Sequence, residues 1–213
     1  MHSLSETTAP APDRRFLFLL GSTRAGGNTE TLARRAAEHL PAGASQRWLP
    51  LADLGLPAFE DLRHEGDGGY ESPTGPGRTL LDATLDATDL VIASPLYWYS
   101  VSTLTKHYLD HWSGWMRVPG VDFRARMAGR TLWGVTALAG EDPADADALV
   151  GTLTKTAAYM RMPFGGVLLG TGNRPGDLLG DTEALLRART FFTAADADAE
   201  LRAGLGREAL LTP

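Results

Sequence analysis

Ten residues, Gly21-Ser-Thr-Arg-Ala-Gly-Gly-Asn-Thr-Glu30, gather hydroxyl, amide and guanidinium donors between the apolar run Phe16 to Leu20 and a helical pattern from Thr31 to His39. A strand, a turn and a helix N-terminus in that order make an anion site, because the first backbone N–H groups of a helix have no intrahelical partner and the helix dipole favours negative charge there. Ser22, Asn28 and Thr29 can donate further hydrogen bonds, and Arg24 adds a planar fork suited to two phosphate oxygens. The dinucleotide pattern G-x-G-x-x-G is absent, as are the lysine and hydroxyl of a Walker A loop, so a mononucleotide phosphate fits better than a pyrophosphate. The plainer alternative makes Ser22 and Asn28 helix caps and Arg24 a solvated side chain.

A second stretch, Ala93-Ser-Pro-Leu-Tyr-Trp-Tyr-Ser100, places three adjacent aromatics after another apolar run. Pro95 sets a turn, and Tyr97 and Trp98 offer flat apolar surface to a ring system whose heteroatoms could meet loop amides. Packing of the same aromatics into a core or an interface is the alternative.

These loops need a scaffold, and apolar runs alternating with helical patterns provide one. Strands are expected at Phe16 to Leu20, Trp48 to Leu51, Asp89 to Ala93, Thr131 to Thr136 and Gly166 to Leu169. Helices are expected from about Thr29, over Thr79 to Ala87, over Ser102 to Trp112, from Asp142-Pro143, and over Asp181 to Thr193. This is α/β punctuation, and five strands imply a parallel, doubly wound sheet in order 2-1-3-4-5. That order sets the first and third strands side by side, with ligands beyond their carboxyl ends. Residues 1–14 read as a flexible N-terminal arm, 15–195 as the ligand-binding domain and 196–213 as a C-terminal helical tail. The Gly- and Pro-rich segment Leu54 to Gly77 has no periodicity and suits substrate access or a subunit contact.

Composition narrows the class. A chain of 213 residues with net charge −6 and no basic stripe is a poor match for nucleic acid or anionic lipid. With no cysteine it has neither disulfide nor thiolate cluster, which suits a cytoplasmic setting. No apolar run approaches the ~18 residues of a membrane span.

Taken together, the motifs resemble those of the NAD(P)H-dependent FMN reductase superfamily of flavodoxin-like flavoproteins, which has an iron–sulfur branch. The first loop resembles that family's G-S-x-R-x-x-G/S-N-T signature at Gly21, Ser22, Arg24, Gly27, Asn28 and Thr29. The second resembles S-P-x-Y-x-x-S-V-S-x-x-x-K-x-x-x-D at Ser94, Pro95, Tyr97, Ser100, Val101, Ser102, Lys106 and Asp110. The resemblance spans about residues 15–170 and implies a flavodoxin-like three-layer doubly wound sandwich. It also implies that Ser22, Arg24, Asn28 and Thr29 bind the FMN phosphate, and that Pro95, Leu96, Tyr97 and Trp98 line the isoalloxazine and offer N–H groups near N5. Thr136, Ala137 and Gly140 would stand beside the pyrimidine edge. NADPH or NADH would be the co-substrate, a quinone, nitro or azo compound or free flavin the acceptor, and a homodimer the assembly. No side-chain acid or base is expected for the hydride step.

Departures from the family pattern accompany the matches. Leu54 to Asp61 stands where iron–sulfur members carry cysteines, so FMN alone would carry the redox chemistry. Tyr99 replaces a frequent glycine, and one glycine, Gly140, remains of a usual pair. A flavodoxin-type electron carrier, or a flavoenzyme dedicated to one small organic substrate with residues 54–77 as lid, are the competing readings. His107 and His111 have zinc-compatible spacing but lack the H-E-x-x-H pattern and an evident third ligand, so they read as helix-surface or interface histidines and no metal is assigned. Trp112 and Trp115 read as core, with a place beside the flavin at a dimer interface as the alternative. Arg124, Arg126 and Arg130 read as solvated charges ahead of a nucleotide 2′-phosphate site.

Overall fold

The computed structural model describes residues 13–193. The first strand, β1 (Arg15–Leu20), is buried from Phe16 onward and pairs on both sides with parallel neighbours. Strands buried on both faces read as unbroken apolar runs, which is why Phe16-Leu-Phe-Leu-Leu20 and Leu90-Val-Ile-Ala93 stand out in the sequence. The remaining strands are β2 (Ser45–Pro50), β3 (Asp89–Ala93), β4 (Thr131–Leu138) and β5 (Phe164–Thr171), and the sheet order is β2-β1-β3-β4-β5. The expected flavodoxin-like topology is therefore present. Helix α1 (Asn28–Ala37) and the late helix α6 (Thr182–Ala188) cover one face. The other is covered by α2 (Gly75–Asp86), α3 (Thr103–Trp115), the short α4 (Phe123–Met127) and α5 (Asp147–Met160).

Several boundaries move from their expected places for local reasons. Helix α2 begins at Gly75 rather than Thr79, with Pro76 in its first turn. Asp142 caps a 3₁₀ turn, Pro143–Ala146, by accepting from the Ala144 N–H, and only then does α5 start. Asp181 precedes α6 and accepts from the Ala184 N–H. Helix α4, built on the buried Phe123 and Met127, has no counterpart among the expected elements, since five residues are too few to display a period. Trp112 and Trp115 are core residues, edge-on to Phe123.

At the amino ends of the strands, the buried Asp89 accepts from the Trp133 indole N–H (2.9 Å) and from Arg14 Nε (3.1 Å). Arg14 also donates to the carbonyl of Phe192 (3.0 Å), so this residue belongs to the folded body rather than to a loose arm. The tail assigned to 196–213, and the arm before residue 13, lie outside the described residues.

Candidate functional site

At the carboxyl end of β1 the chain turns at Gly21, whose N–H donates to the Ala93 carbonyl (2.8 Å). A Cβ here would stand 2.1 Å from Thr105 Oγ1 and 2.9 Å from Ser102 Oγ, so glycine is required by the close approach of α3. Ser102 Oγ–H donates to the Gly21 carbonyl (2.6 Å), while the Ser102 N–H donates to Ser94 Oγ (2.9 Å). The serines of the second motif thus fasten the two loops to each other.

Beyond Gly21 the loop shapes an open set of donors. Ser22 Oγ accepts the Arg24 N–H (2.9 Å), and Glu30 reaches back to accept the Gly26 N–H (2.7 Å) while pairing with Arg34. The first N–H groups of α1 stay unspent, as at any helix start. Among the described residues nothing pairs with the exposed Arg24 guanidinium, although it lines the cleft with Ser22, Gly27, Asn28, Pro95 and Ala137. The cleft encloses about 240 Å³.

The structure gives two expected phosphate ligands side-chain partners within the protein. Asn28 Nδ2–H donates to the Arg174 carbonyl (2.9 Å) and Asn28 Oδ1 accepts the Gly176 N–H (3.1 Å), so this side chain spans to the loop after β5. Thr29 is buried, and its hydroxyl accepts the Ala137 N–H (3.2 Å) from β4. Both residues hold the frame with their side chains and leave their helix-start amides for a ligand. Gly172 and Asn173, which sequence reasoning missed, also line the cleft; a Cβ on Gly172 would meet Asn28 Nδ2 at 2.7 Å. The turn string Gly172-Asn-Arg-Pro-Gly176 after the fifth strand was the available signal.

The aromatic loop is a tight turn. Tyr97 and Ser100 exchange both backbone hydrogen bonds, each 3.1 Å, around Trp98 (φ 49°) and Tyr99 (φ 64°). Positive φ at both central positions is what a type I′ turn requires, normally with Asn-Gly. Bulky residues there cost about 1–2 kcal/mol each, and such strain persists where something else holds it. The tyrosine in the usual glycine position thus stands in a glycine-favouring conformation. Because Ser100 takes the Tyr97 N–H, that amide is not free for a ligand; the Leu96 N–H has no partner among the described residues.

Pro95, Leu96 and Tyr97 line the cleft, whereas Trp98, 94% exposed, and Gly140 lie in an adjoining recess of about 230 Å³ that shares Leu96 and Ala139 with it. Thr136 does not join either. Strand alternation points Ala137 into the cleft and turns the Thr136 side chain to the opposite face, where its hydroxyl is buried without a partner among the described residues.

The 54–74 segment packs along α3 and ends where α2 begins. Tyr70 seats its ring 2.9–3.0 Å from where a Gly114 Cβ would be, and its hydroxyl accepts the Leu62 N–H (2.7 Å). His107 and His111 both face the Pro57 carbonyl from this helix. Burial holds the His111 imidazolium below the usual histidine range, against the opposing pull of the Pro57 carbonyl. No cluster of three His, Cys, Asp or Glu side chains suited to a metal occurs among the described residues, nor does any helix long and apolar enough to cross a membrane.

A parallel five-stranded sheet in this order, with a polar, arginine-bearing loop after the first strand and an aromatic turn after the third, defines the flavodoxin-like class. The chain belongs to the NADPH-dependent FMN reductase family, whose sequence model matches residues 14–167. It is 33% identical over 179 residues to the protein named NAD(P)H-dependent FMN-containing oxidoreductase YwqN of Bacillus subtilis (strain 168), covering 83% of this chain and 96% of that one. Among solved structures, the Trp repressor binding protein from Bacillus subtilis superposes with TM-score 0.65 at 26% identity, covering 83% of this chain and 96% of the other. The FMN-dependent NADH-azoreductase from Bacillus anthracis str. Ames Ancestor, solved in complex with FMN, shares the fold with TM-score 0.57 at 14% identity, over 87% of this chain and 98% of that one. The protein is accordingly an FMN-dependent NAD(P)H oxidoreductase.

Proposed function

We propose that the cleft seats the FMN phosphate on the helix-start amides of α1 and on Arg24, and that the recess beside Leu96 and Ala139 receives the flavin ring and the molecules that stack on it. The observation that carries this reading is a guanidinium and helix-start amides without partners among the described residues, opening onto an aromatic-edged recess. The fit is chemical. Amides and an arginine suit a phosphate dianion, and the exposed faces of Tyr97 and Trp98 suit a planar ring.

Bound FMN would supply the redox chemistry, accepting hydride from NADPH or NADH and passing it by ping-pong exchange to a quinone, a nitro or azo compound, or free flavin. The chain's own part is positioning. The Leu96 N–H is the donor available to orient the ring near N5, and the Ala139 and Gly140 amides are placed to offset negative charge gathering at the pyrimidine edge. Thr29 fixes the end of β4, so that the Ala137 amide serves the frame. Asn28 closes the 172–176 loop over the phosphate end. No acid or base side chain is needed for hydride transfer: Glu30 in the cleft is engaged with Arg34 and Gly26, and Asp145, which lines the recess, is given no part in it.

An anaerobic titration tests this. The protein is loaded with FMN and mixed with NADH and NADPH in turn; bleaching of the protein-bound flavin band well above the rate for free FMN is expected with at least one donor. Failure of both donors to bleach bound flavin would favour an electron carrier, and failure to bind FMN would overturn the assignment of both loops.

A further inference from the structure

A cluster on α3 plays no part in the cofactor site. His107 and His111, one helical turn apart, bring their Nε2 atoms to 3.2 Å. The Pro57 carbonyl oxygen, fifty residues away in sequence, stands 2.8 Å from the first and 3.1 Å from the second. Three polar atoms therefore form one small triangle.

No arrangement of protons makes all three edges of that triangle favourable. If both Nε2 atoms carry hydrogen, each can donate to the carbonyl, but the two N–H groups then oppose each other. If one Nε2 is bare, its lone pair faces the carbonyl's lone pairs. If both are bare, all three edges are repulsive. A cation at the apex satisfies all three at once, because each atom contributes a lone pair. The observed edges are slightly shorter than the roughly 3.3 Å that separates ligand atoms in a tetrahedral zinc site with bonds near 2.0–2.1 Å, so occupancy requires only a few tenths of an ångström of opening.

We infer that His107 Nε2, His111 Nε2 and the Pro57 carbonyl form a binding site for a borderline first-row divalent cation, with zinc as its prototype and water at the fourth position. Two imidazoles at i and i+4 with an oxygen ligand suit zinc and its neighbours rather than calcium or magnesium. The neighbouring charges cancel, since Asp110, between the histidines on the helix, is paired with the Lys106 ammonium, so the cation is held by the three ligand atoms themselves. Phe59 holds the His111 ring edge-on, with centroids 5.8 Å apart. Half-buried histidines leave the fourth position open to solvent. Bound metal would fasten the segment around Pro57 to α3, making its placement depend on metal supply. The third ligand is a backbone atom, which is why no sequence pattern announces it.

The test is a zinc chloride titration of the FMN-loaded full chain, after treatment with chelator, in competition with a chromophoric zinc indicator. One zinc per chain at micromolar affinity is expected, weakened at least about tenfold by His107→Ala or His111→Ala and unchanged by His39→Ala. His111→Gln serves as a gentler variant, and the bound-flavin band reports that each variant is folded. Hydrogen exchange gives a second readout: zinc should slow the amides of Leu56, Ala58, Phe59 and Glu60 in the wild type and leave them unchanged in His111→Gln. The inference is overturned by the absence of saturable binding at roughly millimolar zinc, by binding that survives both alanine variants, or by exchange rates that zinc does not alter.

Discussion

The phosphate loop and the aromatic loop lie side by side, yet they are built on opposite plans. Residues 21–30 are cross-braced: Gly21 to Ala93 and Ser102, Asn28 to Arg174 and Gly176, Thr29 to Ala137, Glu30 to Gly26. Residues 97–100 are held by one pair of backbone bonds, carry two strained φ angles and expose their aromatics. Under the proposed function the difference separates two tasks. A phosphate needs rigid, pre-aimed amides whose cost is met during folding, whereas flat partners that exchange on one ring face need surface that stays presented.

Breaking the braced loop should have the largest effect. Gly21→Ala puts a methyl 2.1 Å from Thr105 Oγ1, and a loss of about 3 kcal/mol in urea unfolding, with weakened FMN binding, is expected. Arg24→Ala should weaken FMN by about 1.5–3 kcal/mol in a fluorescence-quenching titration while leaving the apoprotein's unfolding midpoint in place. Asn28→Ala should remove the bridge to the 172–176 loop and cost about 1 kcal/mol in stability, with faster FMN release in stopped flow. The aromatic loop should respond in the other direction. Tyr99→Gly relieves a left-handed side chain and should stabilise the fold by about 1 kcal/mol. Trp98→Ala should shift stability by less than about 0.5 kcal/mol yet change turnover or the flavin spectrum; an unaltered spectrum and rate would take Trp98 out of the ring site.

Much of this contrast was legible in the chain itself, unevenly. The doubly wound order followed from apolar runs such as Phe16 to Leu20, because strands covered on both faces leave that trace. The two loops declared themselves through Arg24 and through Tyr97-Trp-Tyr99. What stayed hidden were partnerships across long separations: Asn28 meets a carbonyl 146 residues on, and Thr29 an amide 108 residues on, so residues that look like ligands also brace the frame. That the Thr136 side chain does not line the cleft was not legible, because its side depends on where the strand's alternation starts relative to the layers, which one strand alone does not reveal. Tyr99 in place of a glycine was visible in the chain, but its backbone cost was not, because that depends on the positive φ of the turn.

The Arg14 side chain that reaches the Phe192 carbonyl also has a topological meaning. The folded body's first and last described segments meet at the corner where the strands begin, at the far end of the sheet from the cleft. As a piece of string, the domain is nearly a ring. A short linker joining the neighbourhoods of residues 14 and 192, with the chain cut open instead at an exposed turn such as 63–68, would keep every strand pairing and leave the cleft's entrance unobstructed. Fusions carried at that corner would likewise sit behind the active end of the molecule.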